Sequence, residues 1–314
     1  MKRYLSLLCI MFSTFASTNA QQITFTPQWT PQSQFAGYYA AFELGYYAQA
    51  GIDVNITHPT KTYTSFNMLL DGSSDIITSE LIQAVVATDN DIRLVNLLQT
   101  TQHSTLVLLA REKGIRRISQ LAGCRIGIWQ AGFSEIPQML DEEQKLGIEW
   151  IKFINPLNLY ISGAIDATLA KSYSEQVLFH MSGITPGSVL KFSERGFDYP
   201  EDGLYVSEAF YKKNPELCRK FAEASRKGWE WVRNNRKEAL DIVMKYVKAE
   251  NVPTNIYNQK IMLDTILDAQ EDEKGQAPSY TLSKEALDNL NKRLLGHGYI
   301  SEPVEYKRFT GGEL

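Results

Sequence analysis

An α/β fold in two lobes is what this sequence predicts, and three observations lead there. A strand, a loop, a helix and a second strand succeed one another between Ile23 and Ile56, and the layout of strand, small-residue loop and helix returns between Cys124 and Leu146. About 294 residues remain once an N-terminal leader is set aside, enough for two lobes of ordinary size with a sizeable core in each.

The leader is residues 1–20. Lys2 and Arg3 precede an apolar stretch from Leu5 to Phe15, and the small residues Thr18-Asn19-Ala20 close it. This is the pattern of a secretory signal, too short for a lasting membrane anchor, so the exported chain is expected to begin near Gln21 and to work in the periplasm.

The first unit opens with an apolar run, Ile23 to Pro27, that reads as a strand, and turn chemistry follows at Thr30-Pro31. From Ser33 the pattern is helical: Phe35, Tyr38, Tyr39, Phe42 and Tyr46 share one face, and Gly51 stands where a helix ends. Ile52, Val54 and Ile56 then alternate with polar residues as a half-buried strand does. In an open α/β sheet a ligand settles beyond the carboxyl ends of the strands, and this unit places Trp29, Gln34, Phe35 and Tyr38 there. Flat rings beside amides suit a planar heterocycle. A stripe at helical spacing equally serves core packing, the simpler reading for Tyr39, Phe42 and Tyr46.

The run PQSQFAGYY, followed by GYY and AGIDV, resembles the N-terminal signature of the NMT1/THI5-like substrate-binding proteins, the solute receptors of ABC importers. The likeness extends over most of the exported chain and weakens after Asn251. It implies the type II periplasmic-binding-protein fold: lobe I from 21–105 and 204–314, lobe II from 106–203, and two hinge strands near His103 to Leu109 and Asp202 to Glu208. It also implies a cleft position at Tyr173-Ser174-Glu175, where relatives have tyrosine, asparagine and glutamate; here Ser174 replaces the asparagine. A carboxylate in a closing cleft accepts hydrogen bonds from an exocyclic amine, the role expected of Glu175.

Along the chain, Ser65 to Leu70 reads as a helix and Asp75 to Thr78 as a strand, with Ser79 expected to cap the next helix and to offer a polar docking point. Ile92 to Leu98 and Thr105 to Ala110 are strand-like. Trp129 ends a buried strand, and the loop Ala131 to Ser134, with Gly132 at its bend, is expected to face Trp29 across the cleft. Asn214-Pro215 starts a long helix with Leu217, Phe221, Ala224, Gly228 and Trp231 as its apolar stripe. Helices near Arg236 to Val247, Ile256 to Gln270 and Ser283 to Leu295 follow, and the charged linker Glu271 to Ser279 is expected to be mobile.

The remaining chemistry is mostly exclusion. Loss of Lys2 and Arg3 takes the formal charge from −4 to −6 without long runs, which argues against nucleic acid or anionic lipid as a partner. Four histidines lie scattered without metal spacing, and Walker, GxGxxG, GxSxG and HExxH patterns are absent. No catalytic residue, metal or cofactor is expected. Cys124 and Cys218 read as isolated thiols. A eukaryotic branch of the family makes thiamine pyrimidine with a histidine whose counterpart here is Phe35, so synthase activity is not expected. The sequence therefore predicts a monomeric receptor for a small aromatic heterocycle, pyrimidine-like or flavin-like, whose partner is an ABC permease in the inner membrane; the second reading is a sensory module working with a histidine kinase.

Overall fold

The computed structural model describes residues 21–60, 62–130, 134–271, 275–276 and 279–313. Among the described residues ten strands form two five-stranded sheets. The first contains β1 (Gln21–Thr26), β2 (Ile52–Ile56), β3 (Ile76–Glu80), β4 (Leu94–Gln99) and β10 (Asp202–Ser207), in the order β2-β1-β3-β10-β4. The second contains β5 (Leu106–Ala110), β6 (Arg125–Trp129), β7 (Glu149–Phe153), β8 (Ala167–Lys171) and β9 (Ser188–Lys191), in the order β7-β6-β8-β5-β9. Each sheet is parallel except for its fourth strand: β10 runs against β3 and β4, and β5 against β8 and β9. Those two antiparallel strands are the ones the chain makes on entering each sheet from the other, so one topology is used twice.

The crossings lie just upstream of the strands expected to form them. β5 and β10 are interior strands, and the passages between sheets are residues 100–105 and 198–201. They are laced together: Thr101 Oγ1 accepts from the amides of Glu201 and Asp202 at 3.2 and 2.7 Å, and the Ser104 amide donates to Asp198 at 2.8 Å. Glu201 also accepts from the amide and hydroxyl of Thr105 at 3.0 and 2.5 Å.

The first helix is shorter than its aromatic stripe suggests. A 3-10 turn, Ser33–Phe35, precedes a helix Ala36–Glu43, and Gly45, at φ 72°, separates this from Tyr46–Gln49. The left-handed conformation at Gly45 ends the helical hydrogen-bond run. The 36–43 helix packs on the long helix Pro215–Asn234 at glycines: a Cβ on Gly37 would stand 2.2 Å from the Trp229 ring, and one on Gly228 would stand 2.0 Å from the Gly37 carbonyl oxygen. Close approach without side chains is what lets Tyr38 meet Trp229 edge-on, 5.8 Å between centroids. The buried stripe of the long helix passes through Trp229, fully buried, to Val232, and leaves out Trp231, which is half-buried; it is Trp229 that fills the space over Gly37.

Ser79 does not cap a helix. Pairing with β10, Gly203 to Ser79 and Asp202 to Glu80, carries β3 two residues further, and the helix Leu81–Asp89 starts after Glu80 without a side-chain cap. The other expected helices form at Glu135–Gln144, Arg236–Ala249, Ile256–Gln270 and Lys284–Gly296, the last capped by Ser283. Of the linker expected to be mobile, residues 272–274 and 277–278 lie outside the described residues, and Glu271 pairs with Arg233 at 2.8 Å. Cys124 is half-buried and Cys218 buried, and both are free thiols.

Candidate functional site

The sheets meet at the carboxyl ends of their parallel strands, where apolar runs close on charged residues. β3 ends at Glu80, β8 ends at Lys171, and Glu201 lies in the second crossing just before β10 begins at Asp202. Lys171 Nζ lies 2.6 Å from Glu80 Oε1 and 2.9 Å from Glu201 Oε1, with all three side chains buried. A lysine of the second sheet thus joins a strand of the first to a crossing. Burial pulls the Lys171 ammonium down, but Glu201 and Glu80 outweigh it and the net shift is upward. Burial pushes the Glu80 carboxyl up against the opposing pull of Lys171.

Beside this triad, Asp202 is held by two amides. Gln34 Nε2 donates to its Oδ2 at 2.8 Å and Gln28 Nε2 to its Oδ1 at 2.9 Å. Burial raises the Asp202 carboxyl to about 6, the Gln34 hydrogen bond opposing. On the other side of the cleft, Trp129 Nε1 donates to Glu175 Oε1 at 3.0 Å, and the Lys171 amide donates to Glu175 Oε2 at 2.9 Å. Burial raises the Glu175 carboxyl, while these donors favour its ionised form. Tyr38 and Tyr173 are both buried and remain phenols, their pKa values raised first by desolvation and then by nearby charge, Asp202 included.

Of the residues named from sequence, Gln34, Tyr38, Tyr173, Glu175 and Trp129 therefore belong to this junction. Phe35 is buried in the core of the first sheet, its ring edge-on to Tyr39 at 6.4 Å. Ser79 is buried in β3, its hydroxyl donating to the Glu80 carbonyl at 3.2 Å. Trp29, 53% exposed, stands on the loop after β1, and Gly132 lies outside the described residues. From sequence Glu80 is expected, with Thr78 and Ser79, only as part of a polar docking point, and sequence reasoning missed Gln28, Lys171, Glu201 and Asp202. The available signal was a charged residue closing an apolar strand, as in IITSE and ATLAK.

The junction is shut. The void bounded by Glu80, Ile82, Leu106, Glu135, Ile136, Lys171 and Glu201 is about 10 Å³, the space of one water. A roomier groove of about 560 Å³ lies elsewhere, between the 284–296 helix and residues Glu143 and Gly196 to Tyr199. Arg293 and His297 of that groove are already paired with Glu143, at 2.8 and 3.0 Å, whereas the small void borders the Glu80–Lys171–Glu201 triad. A ligand at the junction requires the two sheets to part. Among the described residues no metal-holding group of His, Cys, Asp or Glu is present.

A model of the NMT1/THI5-like family matches residues 32–239. The chain belongs to the NMT1/THI5-like family. Among its relatives in that company are a formylaminopyrimidine-binding protein of Halalkalibacterium halodurans, 22% identical and covering 95% of this chain and 94% of the relative. The riboflavin-binding protein RibY of Chloroflexus aurantiacus is 25% identical, covering 74% of this chain and 68% of its own. Among solved structures, the periplasmic aliphatic sulphonate binding protein SsuA of Escherichia coli superposes with a TM-score of 0.64 at 13% identity, covering 92% of this chain and 91% of SsuA. The desulfurization enzyme DSZB superposes at 0.61 and 16% identity, covering 93% and 97%. The NMT1/THI5-like chain thus has the periplasmic-binding-protein fold with two α/β layers of like topology, a fold that also supports an enzyme.

Proposed function

We propose that this NMT1/THI5-like protein is a periplasmic solute-binding protein that captures a small aromatic heterocycle, pyrimidine-like or flavin-like, and presents it to an ABC permease in the inner membrane without making or breaking a bond. The observation that carries the reading is the convergence at the junction of Tyr38, Gln34 and Asp202 from one sheet's elements with Trp129, Tyr173 and Glu175 from the other's. Rings give a flat ligand its stacking surface, and amide and carboxylate groups fix its edges. Relatives that bind formylaminopyrimidine and riboflavin support the ligand class. Lobe I is residues 21–105 and 204–314 and lobe II 106–203, rotating about the laced crossings as a monomer. Among the described residues no helix is long and apolar enough to cross a membrane, and export rests on the leader at 1–20.

Binding rather than catalysis is supported by the absence of a histidine at Phe35, which is packed into the core. The test is mass spectrometry of small molecules that co-purify from native periplasm, followed by titration of the stripped protein with each. A heterocycle retained intact, with indole fluorescence changing on binding in the parent and not in Trp129→Ala, is the expected result. Conversion of the bound molecule to a product, or no heterocycle retained, refutes it.

A further inference from the structure

The junction gathers more carboxyl groups than its lysine can pair with. Glu80 and Glu201 share Lys171, and Asp202, buried, and Glu175, half-buried, stand beside them with hydrogen bonds from neutral groups. Half-buried Glu135 borders the same void. Within this surplus Asp202 occupies the hub. The amides of Gln28 and Gln34 fill one acceptor position on each of its oxygens, and a carboxylate has about four such positions.

A second observation concerns a group that the protein leaves unmatched near this carboxylate. The oxygen of the Gln28 amide, whose nitrogen holds Asp202, is buried and unpaired. The buried Tyr38 hydroxyl lies within the field of Asp202, with Thr100 and Trp229 beside it. Buried polar groups left unmatched are costly, so a ligand that pairs them gains selectively over one that does not. The open capacity is acceptor: carboxylate and amide oxygens.

We propose that Asp202 is the specificity-determining residue of the cleft, accepting a donor-bearing, neutral or cationic edge such as an exocyclic amine or ring N–H, and excluding ligands whose recognised group is an anion. This rests on the heterocycle reading above and narrows it. An anionic head entering here meets Asp202, Glu175, Glu80 and Glu201 with Lys171 already engaged, and like-charge contact of this kind is how a site rejects a competitor.

Two pairs of probes that differ in charge test it by titration calorimetry: riboflavin against riboflavin phosphate, and a hydroxymethyl aminopyrimidine against its phosphate ester, with octanesulfonate as a further anion. At least one neutral member is expected to bind the parent protein ten times or more tightly than its ester. Asp202→Asn, checked for folding by circular dichroism, is expected to weaken that neutral ligand by about ten- to a hundredfold, the range for a hydrogen bond to a charged acceptor, and to narrow the gap to the ester. Equal or tighter binding of the phosphate esters overturns the charge selectivity and leaves the heterocycle reading standing, and this comparison needs no variant. An Asp202→Asn protein with unchanged affinity and preference overturns the role of Asp202. Binding of octanesulfonate with no heterocycle bound at all overturns both.

Discussion

Lys171 shows how much a single side chain decides here. It is buried between two carboxylates, one on a strand of the first sheet and one in the crossing. Replacing it with methionine keeps most of the apolar stem and leaves Glu80 and Glu201 unpaired, a loss of about 3–5 kcal/mol for breaking a buried ion pair. Urea unfolding of Lys171→Met should show that loss, and adding Glu80→Gln should restore part of it; equal midpoints for parent and single variant would refute the tie. Asp202 adds a pH signature. Its folded pKa of about 6 lies above the ordinary carboxylate value, so its contribution to stability is complete below about pH 4 and is lost as pH rises through 6. The melting temperature of Asp202→Asn minus that of the parent should therefore become more positive from pH 4 to pH 7. Gln34 and Tyr38 were legible as candidates because residue type and position relative to a strand end are local properties, and Glu175 came from the family resemblance. Lys171 and Asp202 were not, since their partners lie 91 and 168 residues away in sequence, Glu80 and Gln34 respectively, and nothing local marks the pairing.

At the scale of elements, the contact between the 36–43 and 215–234 helices depends on Gly37 and Gly228 having no side chain. Alanine at either position adds about 1 kcal/mol of helix propensity. It also puts a methyl group 2.0–2.2 Å from the opposing atoms, which must move. Overpacking of this severity outweighs propensity, so Gly228→Ala should lose about 2 kcal/mol net, read as a lowered urea midpoint. A gain in stability would mean that the helices separate without cost. Ser79 teaches a different point: a serine before an apolar run has the look of an N-cap, yet pairing with β10 keeps it in the strand. A strand that arrives more than a hundred residues later cannot be read from that local pattern. The helix expected from near Ser283, by contrast, does begin there, and the Ser283 hydroxyl accepts from the Ala286 amide three residues on, at 3.0 Å.

For the molecule as a whole, the proposed function calls for the two sheets, joined by the crossings at 100–105 and 198–201, to part. The 284–296 helix makes a further tie. Arg293 pairs with Glu143 and lies over the Phe197 ring at 3.8 Å, and His297 reaches Glu142 and Glu143 at 2.8 and 3.0 Å. Residues just beyond it bind Asp89 on the first sheet's side, through the Ser301 amide at 2.9 Å. Glu142, then Glu143, hold the His297 imidazole above its ordinary value. Its stabilising contribution is therefore full at low pH and lost as pH rises through the raised folded value, and His297→Gln should lower the melting temperature more at pH 5 than at pH 8. X-ray scattering of the ligand-free protein at both pH values should give a larger radius of gyration at pH 8 if this tie restrains opening; no change would assign it to stability alone.

What the amino-acid order settled by itself was whatever depends on neighbours within a few turns: the alternating and helical apolar patterns, most of the strands and long helices, the doubled strand-loop-helix layout and the aromatic residues at strand ends. Those features follow from backbone geometry and burial, which act locally and leave a periodic trace. The tertiary structure alone decided which charges meet, where β3 ends, how closely two helices approach and which aromatic residues line the junction rather than the core. These depend on contacts between segments distant in sequence, whose energies are set by burial and by the partner that burial brings, and neither has a period to read.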